Sequence, residues 1–234
     1  LFLLDRHIQY YDTCISSTVR RVPYNLPRMR SLLPSTCMLG KLFRQLDAHS
    51  PSLVHLQAGY PWFNLIMPYV HKKYPFVTTV HDIDTHPGDK ESEKFFFRDM
   101  AIRYSDRFIV HGNQLKQAFT MKYKIPHERV DIINHGVYSI YCSYARERVE
   151  EEEPYVLFFG RIFDYKGLEY LIRAEPLISR AIPGLKIIIA GRGDHFDKYN
   201  KMIVNREKYT ILNKYIDNAE TAELFQKTRV VVLP

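Results

Sequence analysis

The sequence predicts an α/β protein with two Rossmann-like domains, each built on a parallel sheet. Short, almost continuously apolar segments alternate with longer helix-like segments, which is typical of parallel strands covered on both faces. Residues 155–194 read strand, glycine turn, helix, strand, glycine turn, a pattern that describes a βαβ unit. The charged run RERVEEEEP at 146–154 interrupts the alternation and predicts a linker in this chain of 234 residues.

The N-terminal domain is predicted to cover residues 1–145. Its first part contains Pro23, Pro27 and Pro34, which predict a loop-rich approach. Strands are expected at Leu53–Gln57, Phe76–Val80, Arg107–His111 and Val130–Ile133. Helices are expected at Met38–Ala48, Phe63–Lys73, Ser92–Tyr104 and Gln114–Tyr123.

The C-terminal domain is predicted to cover residues 155–234. Its strands are expected at Tyr155–Phe159, Leu185–Ala190, Tyr209–Leu212 and Val230–Leu233. A helix is expected at Gly167–Arg180, kinked or shortened at Pro176 because proline lacks the N–H donor. The last strand has core character but no crossover follows it, and the chain begins with Leu1 rather than Met. These two observations predict a fragment whose second domain is incomplete.

Composition limits the function classes. Hydrophobic residues make up 46% and charged residues 25% of the chain, values of a globular protein without a membrane helix or signal peptide. The three cysteines, Cys14, Cys37 and Cys142, have no disulfide or metal-ligand spacing, which favours a reducing, cytoplasmic location. The net charge of +7 favours acidic partners such as nucleotides, anionic lipid or nucleic acid; the alternative is a basic surface without a specific role.

Two cations follow the first strand of the C-terminal domain. Arg161 and Lys166 lie five residues apart on one strand-to-helix loop, so both side chains can reach one anion. Arginine offers a planar fork for phosphate oxygens, and lysine adds a mobile point charge. The helix that follows directs its positive end to the same place. Since ligands of parallel sheets bind beyond the carboxyl ends of the strands, the loop predicts a phosphate site; the alternative is an ordinary surface pair.

Glycines flank these cations and the next strand end. Gly160 ends the first strand, and Gly191 and Gly193 form a turn after the second. Such a turn lets backbone N–H groups approach a nucleotide, although it can also simply end a strand. Together, G-R-x(4)-K-G and I-A-G-x-G-D resemble the nucleotide-sugar-binding domain of group 1 glycosyltransferases.

The resemblance extends over roughly residues 53–234. Upstream, TVHD at 79–82 is similar to the family's turn carrying an active-site histidine, and VDIINHGV at 130–137 to the segment closing its N-terminal domain. Downstream, NKYI at 213–216 is similar to its base-binding loop, although many members have glycine where this chain has Asn213. The resemblance implies a GT-B fold, in which two Rossmann-like domains form a retaining, metal-independent enzyme.

The resemblance also implies a role for individual residues. Arg161 and Lys166 would bind and neutralise the donor diphosphate as catalytic residues. The donor-binding set would further include Gly160, Gly191, Gly193, Tyr215 and Ile216. On the acceptor side, the family places a catalytic histidine at His81, next to Asp82, at a strand end that suits a group facing a cleft.

A metal interpretation competes at the same segment. HDIDTH at 81–86 contains the Asp-x-Asp pattern of metal-dependent glycosyltransferases of another fold. The side chains of His81, Asp82, Asp84 and His86 could also ligate a divalent ion. The surrounding segments fit the metal-independent fold better, so we expect no metal and no cofactor besides the donor substrate.

The resemblance implies transfer of a sugar from a nucleotide diphosphate sugar to an acceptor hydroxyl. The partners would be that donor and the acceptor, with peripheral contact to an anionic membrane face allowed by the basic charge, and no nucleic acid. Two alternatives share the fold: a nucleotide-sugar epimerase and a non-catalytic sugar-nucleotide-binding protein. A basic nucleic-acid binder is a third, which predicts strongly salt-dependent binding to any polyanion.

Overall fold

The structure, a computed structural model, describes residues 2–4, 17–20, 22–24, 32–57, 61–84, 99–144 and 155–234. The described residues divide after Gly136 into two compact units. Each unit contains a four-stranded sheet in which all neighbouring strands are parallel, so the predicted α/β class with two parallel sheets is confirmed. The predicted linker at 146–154 lies outside the described residues.

The N-terminal region is more regular than its prolines suggest. Strands β1 (Phe2–Leu4) and β2 (Val22–Tyr24) form a parallel pair, and helix α1 (Leu32–Ala48) follows. The predicted loop-rich approach is therefore wrong at two of the three prolines, while the third lies outside the described residues. Pro23 is in β2, and Pro34 is in the first turn of α1, where a missing N–H costs no helical hydrogen bond.

The sheet of the first unit is built as the sequence predicts, from strands separated by helices. Its further elements are β3 (Val54–Leu56), α2 (Pro61–His71), β4 (Phe76–Val80), a helical stretch at 99–104, β5 (Arg107–Val110), α3 (Asn113–Tyr123) and β6 (Val130–Ile132). The strand order is β3-β4-β5-β6. Two apolar clusters cover the sheet, one around Phe76 and one around Phe108 and Phe119, and all three rings are fully buried.

The second unit repeats this architecture. Its elements are β7 (Tyr155–Phe159), α4 (Leu168–Ala181), β8 (Lys186–Ala190), α5 (Asp197–Asn200), β9 (Tyr209–Leu212), α6 (Asn218–Lys227) and β10 (Thr228–Val231). The strand order is β10-β7-β8-β9. Successive residues of β8 enter different cores: Ile187 and Ile189 pack on the α4 side, and Ile188 packs with Leu224 of α6. Burial on both faces explains why this strand is a continuous apolar run.

The helices have lengths typical of layers over a sheet. The longest, α1, has 17 residues, and no helix in the described part of the chain is long and apolar enough to cross a membrane. Helix α4 continues through Pro176 to Ala181, so the predicted shortening is wrong. The Pro176 ring is exposed and the helix continues past it, although proline removes one helical hydrogen bond.

The last strand lies where the sequence predicts one, with a shifted start. The sequence predicts a strand at Val230–Leu233, and β10 covers Thr228–Val231 and pairs with β7. The side chains of Val230 and Val231 are 53% and 40% exposed.

Candidate functional site

Backbone hydrogen bonds join the loops that follow β7 and β8. The Gly160 N–H donates to the Ala190 carbonyl group at 3.0 Å, and the Ile162 N–H donates to the Arg192 carbonyl group at 2.9 Å. These bonds continue the pairing of the two strands beyond their carboxyl ends. The loop that carries the predicted phosphate-binding cations is therefore anchored to its neighbour.

Close approach of the two loops requires glycine. Gly191 has φ of 142°, and a Cβ atom there would lie 1.9 Å from the Gly160 carbonyl oxygen. At Gly193 a Cβ atom would lie 2.6 Å from the Cβ of Ile162. Gly191 and Gly193, two of the predicted donor-binding glycines, thus have a packing role that is independent of any ligand.

Asn213 ties a third strand end to this arrangement. The Gly193 N–H donates to Asn213 Oδ1 at 2.8 Å, and Asn213 Nδ2 donates back to the Gly193 carbonyl group at 3.2 Å. Asn213 follows β9, so its side chain links that strand end to the glycine turn after β8. From the sequence, Asn213 was identified as the start of the NKYI loop and as a departure from the family's glycine, but not as a partner of Gly193.

Arg161 and Lys166 lie on the anchored loop, as predicted. The Arg161 guanidinium is exposed, with its Cζ 5.0 Å from the centre of the Phe163 ring. Lys166 is half-buried, with its Nζ 5.3 Å from the centre of the Tyr165 ring. Aromatic neighbours restrict these long side chains and attract their charge.

The acidic residue of the same loop is already engaged. Asp164 pairs with Lys198 and accepts a hydrogen bond from the Tyr199 hydroxyl at 3.0 Å. The hydrogen bond from Lys198, followed by that from Tyr199, lowers the pKa of the Asp164 carboxyl. Within the described residues, no carboxylate forms a salt bridge with Arg161 or Lys166, so both cations are available to an anion.

The loop leads directly into the N-terminus of α4. Gly167 has φ of 69°, a left-handed conformation that turns the chain into the helix at Leu168. No side chain caps this helix start. The first-turn N–H groups and the positive end of the helix dipole therefore add to the two cations. This combination suits a phosphate or diphosphate.

The remaining predicted donor residues differ in exposure. Tyr215 is 64% exposed, so its ring is accessible to a ligand. The side chain of Ile216 is buried in an apolar cluster with Leu157 and Ile188. Any contact of Ile216 with a nucleotide base therefore has to use its backbone groups.

The acceptor-side prediction lies in the first unit. His81 follows β4 and is exposed, and its Nε2 lies 2.9 Å from the Gln57 carbonyl oxygen. Its Nδ1 lies 3.2 Å from Nε2 of His111, and the His135 ring is close to both. The sequence analysis missed His111 and His135 as site residues. The available signal was that each follows its own strand of the same predicted sheet.

The structure does not gather the HDIDTH residues into one ligand set. Asp84 pairs with Lys122 of α3, whose Nζ lies 2.5 Å from Oδ1. Among the described residues, the group that could hold a metal ion consists of His81, His111 and His135, without Asp82 or Asp84. His86 lies outside the described residues.

Comparison with known families covers nearly the whole chain. The sequence profile of Glycosyltransferase Family 4 matches residues 5–139, more than half of the chain, and that of the group 1 glycosyl transferases matches residues 144–234. An uncharacterised glycosyltransferase of Methanocaldococcus jannaschii is 28% identical over 181 residues, which is 69% of this chain and 46% of that protein. A glycogen synthase of Mycobacterium tuberculosis is 23% identical over 68% of this chain and 41% of that protein. The chain thus spans less than half the length of these relatives.

Solved structures share the fold at low sequence identity. A glycosyltransferase from Rickettsia africae has a TM-score of 0.63 at 17% identity, over 97% of this chain and 60% of that one. HepE from Anabaena, in complex with UDP-glucose, has a TM-score of 0.61 at 16% identity, over 91% of this chain and 60% of that one. A UDP-GlcNAc 2-epimerase from Neisseria meningitidis, bound to UDP-GlcNAc, has a TM-score of 0.60 at 10% identity, over 96% of this chain and 67% of that one. These likenesses confirm the GT-B type of fold, and the two profile matches show that the chain belongs to glycosyltransferase family 4, among the group 1 glycosyltransferases.

Proposed function

We propose that this protein transfers a sugar from a nucleotide diphosphate sugar to an acceptor hydroxyl group. The main support is the placement of Arg161 and Lys166 on an anchored loop immediately before a helix N-terminus. Family membership supports the reaction class, and the complex of HepE with UDP-glucose supports a nucleotide sugar as the donor. The two cations match the diphosphate, the part common to all such donors.

In the proposed reaction, the bond between the anomeric carbon and the diphosphate oxygen breaks, and the nucleoside diphosphate leaves with the bonding electrons. The acceptor oxygen forms the new bond and its proton is released. Arg161 and Lys166 stabilise the charge that develops on the leaving phosphate, and one well-placed donor of this kind contributes about 3–4 kcal/mol. Because side-chain cations have this role, we propose a transfer without a metal cofactor. Retention of configuration is proposed from the family resemblance.

The other proposed contacts are divided between the two units, with the donor bound by the second unit and the acceptor by the first. In the second unit, the donor is held by the strand-end loops and the exposed Tyr215 ring, with base contacts through the backbone of Ile216. In the first unit, His81 and Asp82 face the acceptor. His81 follows a strand end, where a side chain can hydrogen-bond a sugar hydroxyl.

The donor assignment is tested by Arg161→Ala and Lys166→Ala. Each variant is titrated with UDP and with uridine by calorimetry. We expect UDP affinity to fall about 10- to 100-fold, because each change removes a charged hydrogen bond to phosphate. Uridine affinity should remain close to that of the wild type, since uridine lacks the diphosphate.

Arg173→Ala provides the matched control. Arg173 is an exposed arginine on α4, and its guanidinium lies 4.0 Å from Glu169. Its removal changes the net charge as Arg161→Ala does but leaves the loop intact, so UDP affinity should be unchanged. Equal UDP affinity in the wild type and in both loop variants would remove the basis of the proposed donor site.

Other activities on this fold are separated by their products. An epimerase, which the Neisseria structure represents, converts a UDP-sugar without an acceptor. A transferase releases UDP only as sugar is joined to an acceptor, and a non-catalytic binder gives neither product. Chromatography of UDP-sugar incubated with and without an acceptor therefore distinguishes the three. One relative is named a glycosyltransferase and another a glycogen synthase, which favours the transferase outcome.

We also propose peripheral contact with anionic membranes. The net charge of +7 supports it, because a basic protein is attracted to acidic lipid. Cosedimentation with vesicles of phosphatidylcholine alone and of phosphatidylcholine with phosphatidylserine tests this. Binding only to the acidic vesicles at low salt is expected, and equal recovery with both types would contradict it.

A further inference from the structure

Three histidines meet at the carboxyl edge of the first sheet. His81, His111 and His135 follow β4, β5 and β6, which are neighbours in the sheet. The ring of His111 lies between the other two, with its centre 4.9 Å from that of His81 and 4.2 Å from that of His135. One nitrogen from each ring lies within 4.8 Å of the others. The sheet topology thus gathers residues that are distant in sequence.

The hydrogen bonds of His81 and His111 leave two nitrogen lone pairs facing each other. His81 Nε2 lies 2.9 Å from the Gln57 carbonyl oxygen, and His111 Nδ1 lies 2.9 Å from the Ile133 carbonyl oxygen. A carbonyl oxygen only accepts, so the ring nitrogen is the donor in both cases. A neutral imidazole has one N–H, which leaves lone pairs on His81 Nδ1 and His111 Nε2, 3.2 Å apart. A metal ion or a shared proton between them removes this repulsion.

The third imidazole favours the metal ion. A shared proton requires two rings, whereas three imidazoles are a common donor set for Zn²⁺ and related ions. We propose that His81, His111 and His135 bind one divalent transition metal ion, with Zn²⁺ as the reference ion. The site lies in the first unit and is separate from the donor loop, but it includes His81, which the proposed function places on the acceptor side. An ion bound there would take the ring nitrogen that does not contact Gln57. Binding of Zn²⁺ is measured without a transfer reaction, so the two proposals can fail separately.

The distances fit a tetrahedral site after a small movement. Zn–N bonds of about 2.0–2.1 Å at tetrahedral angles place neighbouring nitrogens about 3.3 Å apart. The separation of His81 Nδ1 and His111 Nε2 is 3.2 Å, close to that spacing. His135 has to approach by at most about 1.5 Å to reach the spacing of a zinc site. Its side chain is exposed at the surface of the first unit.

The surroundings of the rings support metal binding. Metal-ligating histidines usually donate their other N–H to a carbonyl or carboxylate group, which fixes the tautomer and the orientation. Gln57 and Ile133 provide such carbonyl groups for His81 and His111. A bound ion would join three strand-end loops of the first unit. It should therefore stabilise the folded state, by an amount that grows with the logarithm of the ion concentration above the dissociation constant.

The test measures metal binding directly. The chain is stripped with a chelator and titrated with Zn²⁺ by calorimetry and with Co²⁺ by visible absorption. We expect one ion per chain, a dissociation constant in the micromolar range or below, the visible bands of four-coordinate Co²⁺, and a higher Tm with Zn²⁺. Absence of saturable binding by the wild-type chain would overturn the proposal and favour a shared proton.

Variants identify the ligands. His111→Gln and His135→Gln should each weaken Zn²⁺ binding at least about tenfold, because each removes a side chain that coordinates the ion directly. His49→Gln is the control: His49 is exposed at the end of α1, and Nδ1 hydrogen-bonds the Gln45 carbonyl group. His135→Gln alters an exposed side chain and should fold even if His111→Gln does not. Wild-type Zn²⁺ affinity in His135→Gln would overturn the three-histidine site.

Discussion

Gly191 illustrates how a single residue can be fixed by the backbone around it. A Cβ atom at this position would lie 1.9 Å from the Gly160 carbonyl oxygen, and the φ of 142° is unfavourable for any other L-residue. We expect Gly191→Ala to lower the free energy of unfolding by about 3 kcal/mol or more, because the loops after β7 and β8 must separate. Urea denaturation measures this change.

Gly184→Ala is the matched control for that substitution. A Cβ atom at Gly184 meets no atom within 4 Å, and its φ is not left-handed. Its effect on stability should stay within about 0.5 kcal/mol. If Gly191→Ala is as stable as Gly184→Ala, the close approach of the two loops is not a feature of the folded protein in solution.

Residue roles were predictable where they depend on local sequence. Arg161 and Lys166 could be placed on one loop because a strand and a helix bracket them within a few residues. Asn213 could not, since its hydrogen bonds to Gly193 join residues on different strands. His111 and His135 were missed for the same reason: their proximity to His81 depends on the strand order β4-β5-β6. The roles of Tyr215 and Ile216 at a donor stay predictions.

At the scale of elements, β9 carries a buried tyrosine beside a buried acid. Tyr209 is 6% exposed, and its hydroxyl group has no hydrogen-bond partner among the described residues. Burial, and next the charge of Glu175, raises the pKa of Tyr209 well above its usual value. The carboxylate of Glu175, on α4, is itself held by Ser179 and Asn205.

The raised pKa of Tyr209 predicts how stability depends on pH. The unfolded chain loses the tyrosine proton near pH ~10 while the folded chain retains it, so stability is complete below that pH and falls as pH rises. The slope reaches about 1.4 kcal/mol per pH unit for one group. Tyr209→Phe should flatten this decline, as measured by urea denaturation from about pH 8 to 11.

The same variant tests the unpaired hydroxyl group. At about pH 8 we expect Tyr209→Phe to be as stable as the wild type or more stable, by up to about 1–2 kcal/mol, because no buried donor remains unsatisfied. Tyr170→Phe, at a tyrosine that is 60% exposed on α4, should leave the pH profile unchanged. Identical alkaline slopes in Tyr209→Phe and the wild type would mean that this tyrosine ionises normally in the folded state.

The first and last residues of an element were predictable where turn residues bound a clear strand pattern. The strands β4, β7 and β9 have their predicted bounds, since runs of β-branched, aromatic and other apolar residues end at turn residues on both sides. The start of α1 and the passage of α4 through Pro176 were missed. Proline breaks a helix through one lost hydrogen bond, and that cost is small at the first turn or on an exposed face. The low helix propensity of proline does not by itself say where in a helix proline is tolerated.

At the scale of the whole molecule, the proposed roles fall on different units. Arg161 and Lys166 belong to the second unit, whereas His81 belongs to the first, and each unit has its own sheet and apolar cores. Two independent cores mean that a surface change in one unit need not alter the other. The sequence predicts two domains on either side of the charged run at 146–154, whereas the described residues divide after Gly136.

This division predicts different consequences for donor binding and for turnover. In the longest natural form of the protein, His81→Ala should lower turnover by about 100-fold or more, as expected for loss of a group that acts on the reacting hydroxyl. The dissociation constant for UDP should stay at its wild-type value, because no residue of the donor loop has changed. Initial rates of sugar transfer and calorimetry with UDP measure the two quantities.

The assay includes a chelator and a second histidine variant. The chelator removes any metal ion from the histidine cluster, so that the wild type and His81→Ala are compared in the metal-free state. His49→Ala removes an exposed histidine of the same unit and should retain wild-type turnover. Weakened UDP binding with normal turnover at saturation would place His81 on the donor side instead. Loss of wild-type activity in the chelator would show that transfer requires a metal ion, and the leaving diphosphate would then not depend on Arg161 and Lys166 alone.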